Sequence, residues 1–235
     1  MSTQSNGART AVVLGGTSGI GKEIVKSLAG QGMTVHLSGR TSKSAHAAAS
    51  EIGLGTVGIA VDLSEPESIG GALADIVSVD YMVIPAIERD ANTIADYNVA
   101  RAVRLVTLKL VGYTEAIHAL RERFTADGAV VLFGGLAMLR AYPGSTTVST
   151  VNGGIVGLVN SLATELAPVR INAIHPGIVG DSPFWEDKDT SLVVARTPLG
   201  RLVTMQEIVH AVEFLLFNSG VNGVNLAVDG GWLLK

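Results

Sequence analysis

Cysteine is absent from the 235 residues. No disulfide can form, no thiolate can hold zinc, and no thiol can act as a nucleophile. Charge is scarce as well. Asp, Glu, Lys and Arg make up 16% of the chain, against roughly 25% in ordinary soluble domains. The net charge of -4 comes without a basic cluster or an acidic tail, which argues against nucleic acid and anionic membrane surfaces as partners. No uninterrupted apolar run is long enough to span a bilayer. The start, MSTQSNGART, is polar and has no apolar stretch of the secretory kind. The cytoplasm is the expected compartment, no metal centre is expected, and residues 1–8 are expected to form a flexible tail.

What the chain has in quantity is apolar residues, 47% of the total, with a mean hydropathy of +0.40. The length suffices for one sizeable core and is short for two domains. So apolar a chain has to bury surface in a sheet covered on both faces or in subunit contacts.

Apolar, β-branched runs alternate with longer helical patterns. Strands are predicted at Thr10–Gly15, Thr34–Gly39, Thr56–Asp62, from Asp80, at Gly128–Gly135, Val169–Ile174 and Val224–Gly231. Helices are predicted at Gly21–Gly32, about Ser42 to Glu51, about Asn98 to Phe124, over Ser145 to Thr164, and up to about Phe217. Ser64-Glu-Pro-Glu67 and Thr204-Met-Gln-Glu207 have the spacing of capping boxes opening helices. Strand and helix alternating in this way predict an α/β fold: a single-domain, doubly wound, seven-stranded parallel sheet with helices on both faces. Ligands of such sheets bind beyond the carboxyl ends of the strands, near the point where strand order reverses.

The first strand runs into GGTSGIG, which contains Gly15, Thr17, Ser18, Gly19, Ile20 and Gly21. Glycines here allow a tight turn, close approach of backbone to a pyrophosphate and packing of helix on strand. The free N–H groups of the following helix face the phosphates. With strand before and helix after, the loop predicts a dinucleotide site. A carboxylate at the end of the second strand would bind an adenosine 2′-hydroxyl and repel a 2′-phosphate. The sequence there is HLSGRTS, with no acid until Glu51. Arg40 can grip a 2′-phosphate, with Ser38, Thr41 and Ser42 as further donors, so NADP(H) is expected over NAD(H). Asp62 ends the third strand, where it can face an adenine amino group or start the next helix beside Ser64.

At these residues the chain resembles a short-chain dehydrogenase/reductase, of the compact type that includes acyl-carrier-protein reductases. The resemblance rests on GGTSGIG, Val61–Leu63, GAVVLF, Arg170–Val179 and Val221–Gly231. It implies a Rossmann fold, a nicotinamide cofactor, hydride exchange with a carbonyl or alcohol carbon, and a homodimer or homotetramer. It makes Asp62 and Leu63 adenine contacts, puts Ala86 beside the cofactor, and has Pro176, Gly177, Ile178 and Val179 bordering the nicotinamide. The family's catalytic Asn, Ser, Tyr and Lys fall at Lys109, Gly135, Val148 and Asn152. All four positions depart from the pattern, and Ile84-Pro-Ala-Ile87 replaces the segment that usually follows the fourth strand.

Reduction of a carbonyl leaves an alkoxide that needs a proton donor or an oxyanion stabiliser, and valine offers neither. Two replacements are open: Lys109, if a buried pocket lowers its pKa, and Tyr142, in the loop before the helix. For each a structural role stands beside the catalytic one. Asn152 can still bond a ribose hydroxyl. His175 reads as a neutral structural histidine, and Phe184 and Trp185 as apolar cover over the substrate or as packing at a subunit boundary. Three functions follow: an NADP(H)-dependent oxidoreductase with a non-standard site, a catalytically silent NADP(H)-binding sensor, regulator or scaffold, and a lyase or isomerase reusing the pocket. The helix from Thr146 to Leu166, without a charge as far as Thr164 and with Gly153, Gly154 and Gly157, predicts a subunit contact together with the helix from Asn98 to Phe124.

Overall fold

A computed structural model describes residues 8–234. Of the tail expected over residues 1–8, positions 1–7 lie outside the described residues. The apolar runs form strands β1 (Thr10–Leu14), β2 (Thr34–Gly39), β3 (Val57–Ala60), β4 (Val79–Ile84), β5 (Phe124–Phe133), β6 (Arg170–Pro176) and β7 (Asn225–Val228). The helices are α1 (Gly19–Gly30), α2 (Ser42–Ile52), α3 (Pro66–Ala72), α4 (Val99–Val106), α5 (Tyr113–Leu120), α6 (Thr146–Glu165), α7 (Ser191–Arg196) and α8 (Met205–Phe217). The strands form one sheet in the order β3-β2-β1-β4-β5-β6-β7, and every neighbouring pair is parallel. Among the described residues, no helix is long and apolar enough to cross a membrane.

Strands covered on both faces read as unbroken apolar runs because alternate side chains enter different cores. In β1, Ala11 and Val13 join Ile24 and Leu28 of α1 and Val212 of α8. Val12 and Leu14 face the other way, toward Ile117 of α5 and Ile155 and Val159 of α6. Full burial of each such branched side chain contributes about 1.5–3 kcal/mol. The amino end of β6 is held by its own first residue. Arg170 is buried and donates to the carbonyls of Leu215 (2.8 Å), Leu216 (2.5 Å) and Val221 (3.1 Å), satisfying the last turn of α8.

Three local expectations are corrected. Ser64 does not cap α3, whose N-cap is Glu65 without a side-chain bond. The Ser64 hydroxyl donates instead to Asp62 Oδ1 at 2.6 Å, a nearer acceptor that removes it from the helix terminus. Thr204 does form its capping box, accepting from Glu207 N at 3.2 Å while Glu207 Oε2 accepts from Thr204 N at 2.9 Å. The run from Asn98 is not one uniform helix. Asn98 caps α4, which widens into a π-helical segment at Thr107–Gly112 before α5 resumes and a short 3-10 turn closes at Arg123. A Cβ at Gly112 would collide with the Leu63 carbonyl oxygen, so only glycine lets this helix approach the end of β3 so closely. Phe124 belongs to β5, which begins there rather than at Gly128, because Phe124 pairs with Val79 ahead of an irregularity in register.

The sheet reverses winding between β1 and β4. Beyond their carboxyl ends lie Gly15 and Pro85, and the crevice between them is the place for a ligand.

Candidate functional site

The β1–α1 turn is shaped for close contact. Gly15 and Gly19 have φ of +107° and +51°, a region that disfavours side chains. A Cβ on Gly15 would lie 2.8 Å from the Ala86 Cα, and one on Gly21 would strike the Gly15 carbonyl. The turn therefore presses against the end of β4 with bare backbone. Ser38 holds it from behind: its hydroxyl accepts from Gly15 N at 3.0 Å, and its carbonyl accepts from Gly16 N at 3.1 Å. The N-cap of α1, Ser18, makes no side-chain capping bond, and the first turn carries no acid. The opening N–H groups of α1 thus have no side-chain acceptor.

A cleft of about 730 Å³ opens in front of this turn. Gly15, Thr17, Ser18, Gly19, Ile20 and Gly21 line its floor, and Asp62, Leu63 and Ala86 line the wall from β3 and β4. Ser38, Arg40 and Thr41 line the far end. Ser42 does not belong to the lining. Its hydroxyl is turned to His46 Nδ1 at 3.1 Å, and Ser44 stands in the cleft instead. Thr41 caps α2 by accepting from Ser44 N at 3.2 Å, which points the first turn of α2 at the same end as Arg40.

Asp62 lines the cleft and also binds Ser64 on the approach to α3. Its Oδ1 accepts from Ser64 N at 2.9 Å and from the Ser64 hydroxyl, while Arg104 lies 3.6 Å from Oδ2. Burial alone would raise its pKa. The Ser64 bonds and the Arg104 and Arg40 charges outweigh that and hold the carboxyl below its ordinary value. Arg104 also pairs with Glu88 at 2.8 Å.

Lys109 is 1% exposed and reaches inward from the π-helical segment. Its Nζ donates to the Phe133 carbonyl and, at 3.1 Å, to the Tyr113 hydroxyl, which in turn donates to the Ala86 carbonyl at 2.7 Å. Burial lowers the Lys109 pKa to about 7 and pushes the Tyr113 phenol up. The chain of bonds runs from the core to the cleft wall at Ala86.

Gly135, Asn152 and His175 meet at the carboxyl ends of β5 and β6. A Cβ on Gly135 would lie 2.7 Å from Asn152 Nδ2, and one on Gly134 would enter the His175 ring. His175 is fully buried. Its Nδ1 accepts from Gly135 N at 3.1 Å, so the proton sits on Nε2, which donates to Asn225 Oδ1 at 2.9 Å. Burial lowers its pKa, and the bond to Asn225 offsets this in part. Val148 is half-buried on α6, and Tyr142 is 54% exposed in the loop before it. Asn152, Pro176, Gly177, Ile178 and Val179 are not among the residues lining the cleft. Gly177 N donates to the Val228 carbonyl at 2.9 Å, and Val179 bridges to Val203, which ties this segment to β7 and the approach to α8.

Phe184 and Trp185 are legible in the sequence as cover over a substrate or packing at a subunit boundary; what goes unread there is that Arg89 joins them. Ser182, Pro183 and Phe184 come from the β6–α7 loop and line the cleft with Arg89. Phe184 packs edge-on against Trp185 with ring centroids 4.9 Å apart. Arg89 Cζ lies 3.1 Å and Lys188 Nζ 2.9 Å from the Phe184 centroid. The partners are far apart in sequence, and no short motif announces them.

A glycine-cradled crevice at the switch point of this sheet defines a dinucleotide-binding α/β protein. The family model for enoyl-(acyl carrier protein) reductases matches residues 15–233, and the chain belongs to the short-chain dehydrogenase/reductase family of oxidoreductases. It is 31% identical to carbonyl reductase family member 4 of Xenopus tropicalis, over 97% of this chain and 99% of that one. It is 27% identical to the bovine (Bos taurus) 3-oxoacyl-[acyl-carrier-protein] reductase, over 95% and 97% of the two chains. Among solved structures it superposes on a small-chain dehydrogenase in complex with NADPH. The TM-score is 0.83 at 26% identity, with 97% of this chain and 100% of that chain covered.

Proposed function

We propose that the chain is an NADP(H)-dependent oxidoreductase acting on a carbonyl or alcohol with a non-standard proton-transfer site. The cleft carries this reading: the Gly15–Gly21 cradle faces the opening of α1, and the acid-free end of β2 brings Arg40, Thr41 and Ser44 to one place. These residues fit a dinucleotide bearing a 2′-phosphate. The bare backbone and unpaired N–H groups suit a pyrophosphate, Arg40 suits the phosphate, and Asp62 and Leu63 suit the adenine. The bound cofactor supplies or takes the hydride.

The chain's own residues position the reactants and leave proton movement to other groups. Val148 holds no proton. Lys109 is committed to Phe133 and Tyr113. Tyr142 is exposed in the loop before α6 and is not among the residues lining the cleft. Solvent or the substrate's own acid then completes the step, and the loss of a built acid slows turnover by roughly 10²- to 10⁴-fold relative to an enzyme that has one. The test is titration with NADPH and NADH, followed by a carbonyl panel with NADPH. NADPH is expected to bind at least tenfold tighter than NADH, with the difference lost in Arg40→Ala. Equal affinity for the two would sink the assignment of the phosphate site.

A second reading is favoured by the burial of Lys109: a catalytically silent NADP(H)-binding sensor, regulator or scaffold. Tight NADPH binding with no turnover on any carbonyl separates it from the first. In either case we propose a homodimer or homotetramer. The uncharged outer stripe of α6, with Thr150, Gly153 and Gly157, and the exposed Val99, Val103 and Val106 of α4 support it.

A further inference from the structure

Glu88, Arg89 and Asp90 follow one another after β4, and the two acids turn away from the cation between them. Glu88 pairs with Arg104 at 2.8 Å, and Asp90, whose side chain is 3% exposed, lies 3.4 Å from Arg101. Both partners stand on α4. Arg89 is left facing the β6–α7 loop, where its guanidinium lies 3.1 Å from the Phe184 centroid. Lys188 approaches the same centroid to 2.9 Å and the Trp185 ring to 5.1 Å. Two cationic groups so near one centroid cannot share a face of the ring, so Phe184 is sandwiched between them.

Among the described residues, neither cation pairs with a carboxylate, and neither side chain donates a hydrogen bond to protein. The loop acids do not serve them: Asp181 accepts from Met205 N at 2.8 Å and Asp189 from Ser191 N at 2.9 Å, each closing the start of a helix. Glu186 and Asp187 are exposed. The aromatic faces attract the two charges but do not neutralise them. An anion that reaches both relieves their mutual repulsion more than solvent screening does.

We propose that Arg89, which lines the cofactor cleft, and Lys188, which flanks the cleft-lining Phe184, form a clamp for an anionic group of the substrate, a carboxylate or a phosphate. This rests on the oxidoreductase reading and narrows its substrates to carbonyl or alcohol compounds that carry such a group. The loop bearing Lys188 is anchored at its base by the Ser182 hydroxyl, which donates to the Val179 carbonyl at 2.7 Å, so the clamp is held over the end of β6. The cofactor's own phosphates have the same chemistry, and Pro183 lies within 3.8 Å of a Cβ built on Gly19 in the glycine turn. The experiment therefore has to separate the two sources of anion.

The full chain is titrated first with NADPH, then, saturated with NADPH, with acetoacetate and with its neutral ethyl ester. Trp185 fluorescence serves as the local reporter, with Trp185→Phe subtracting the signal of Trp232. Acetoacetate is expected to bind at least tenfold tighter than the ester. Lys188→Gln is expected to bring the two within twofold of each other, and 500 mM NaCl is expected to shrink the difference in the unaltered chain. Equal binding of acid and ester, or binding of neither, overturns the clamp while the cofactor reading stands. A fall in NADPH affinity in Lys188→Gln, with no change in the acid-to-ester ratio, assigns the anion to the cofactor and also overturns it. Failure of NADPH itself to bind overturns the parent reading and the clamp together.

Discussion

Among the described residues Lys109 has no carboxylate partner, yet it sits in the core with its amine on a backbone carbonyl and a phenol. Burial holds its folded pKa at about 7, against 10.5 for an exposed lysine. Between those values the unfolded chain keeps a proton that the folded chain has released, so stability rises as pH rises through that window. Below about 7 both states are protonated and the slope vanishes. Urea midpoints measured from pH 7 to 10 are expected to climb in the wild-type chain more steeply than in Lys109→Met; identical slopes would show that the amine is charged in the fold throughout. The neighbouring glycines carry a second residue-scale expectation. Gly134→Ala puts a methyl into the His175 ring, and overpacking of this kind destabilises by about 1–3 kcal/mol, readable as a shift in the same urea midpoint. At this scale the sequence was only partly legible. Gly15, Arg40 and Asp62 announced themselves by type and place. Ser44 did not, because the turn that sends Ser42 toward His46 and Ser44 into the cleft depends on where α2 starts to within one residue. The Arg89–Phe184–Lys188 cluster depends on the path of a loop, which no periodicity records.

Elements were easier to read than residues. The strands are visible in the sequence because the central ones, such as β1 and β4, are buried on both faces and apolar almost throughout, while the edge strands β3 and β7 are short and partly exposed. The long helices follow from the 3.6-residue spacing of their buried side chains. The π-helical segment escaped notice because its residues, Thr107 to Gly112, keep a helix-like pattern; what widens there is seen only against Leu63. Helix α7 is short and has no buried residue, so it had no apolar stripe to be found by. The two capping-box sequences look alike and behave differently, because Asp62 competes for the Ser64 hydroxyl and nothing competes for Thr204. Thr204→Ala should therefore cost about 1 kcal/mol in chemical denaturation, while Ser64→Ala should leave α3 intact and act instead on Asp62. A cost for Ser64→Ala matched by loss of helical circular dichroism would contradict that assignment.

For the whole molecule, the sparse charge has two destinations. Most apolar residues go to the two cores either side of the sheet, and part of the remainder forms an exposed strip on α4 and α6. On α4, Val103 is 59% and Val99 64% exposed, and the strip passes over α6 at Gly153 and Gly157, where an added Cβ would meet nothing within 4 Å. Small residues there let a second helix approach closely. Light scattering is expected to give a dimer or tetramer for the wild-type chain, and Val103→Glu, which places a charge in the strip, is expected to shift it toward monomer without changing its circular dichroism. A monomeric wild-type chain at micromolar concentration would remove this proposal.

The Gly135–Asn152 contact has a consequence for how such a chain can change over time. The amide of Asn152 occupies the space that any side chain at position 135 would need. Position 134 is closed in the same way by the His175 ring, which is itself fixed by Asn225. The two sites differ in what they tolerate: the Asn152 amide is the end of a flexible side chain that can turn aside, whereas the His175 ring is held at both nitrogens. Change at 135 is therefore open to the chain, and change at 134 has to wait for His175 and Asn225.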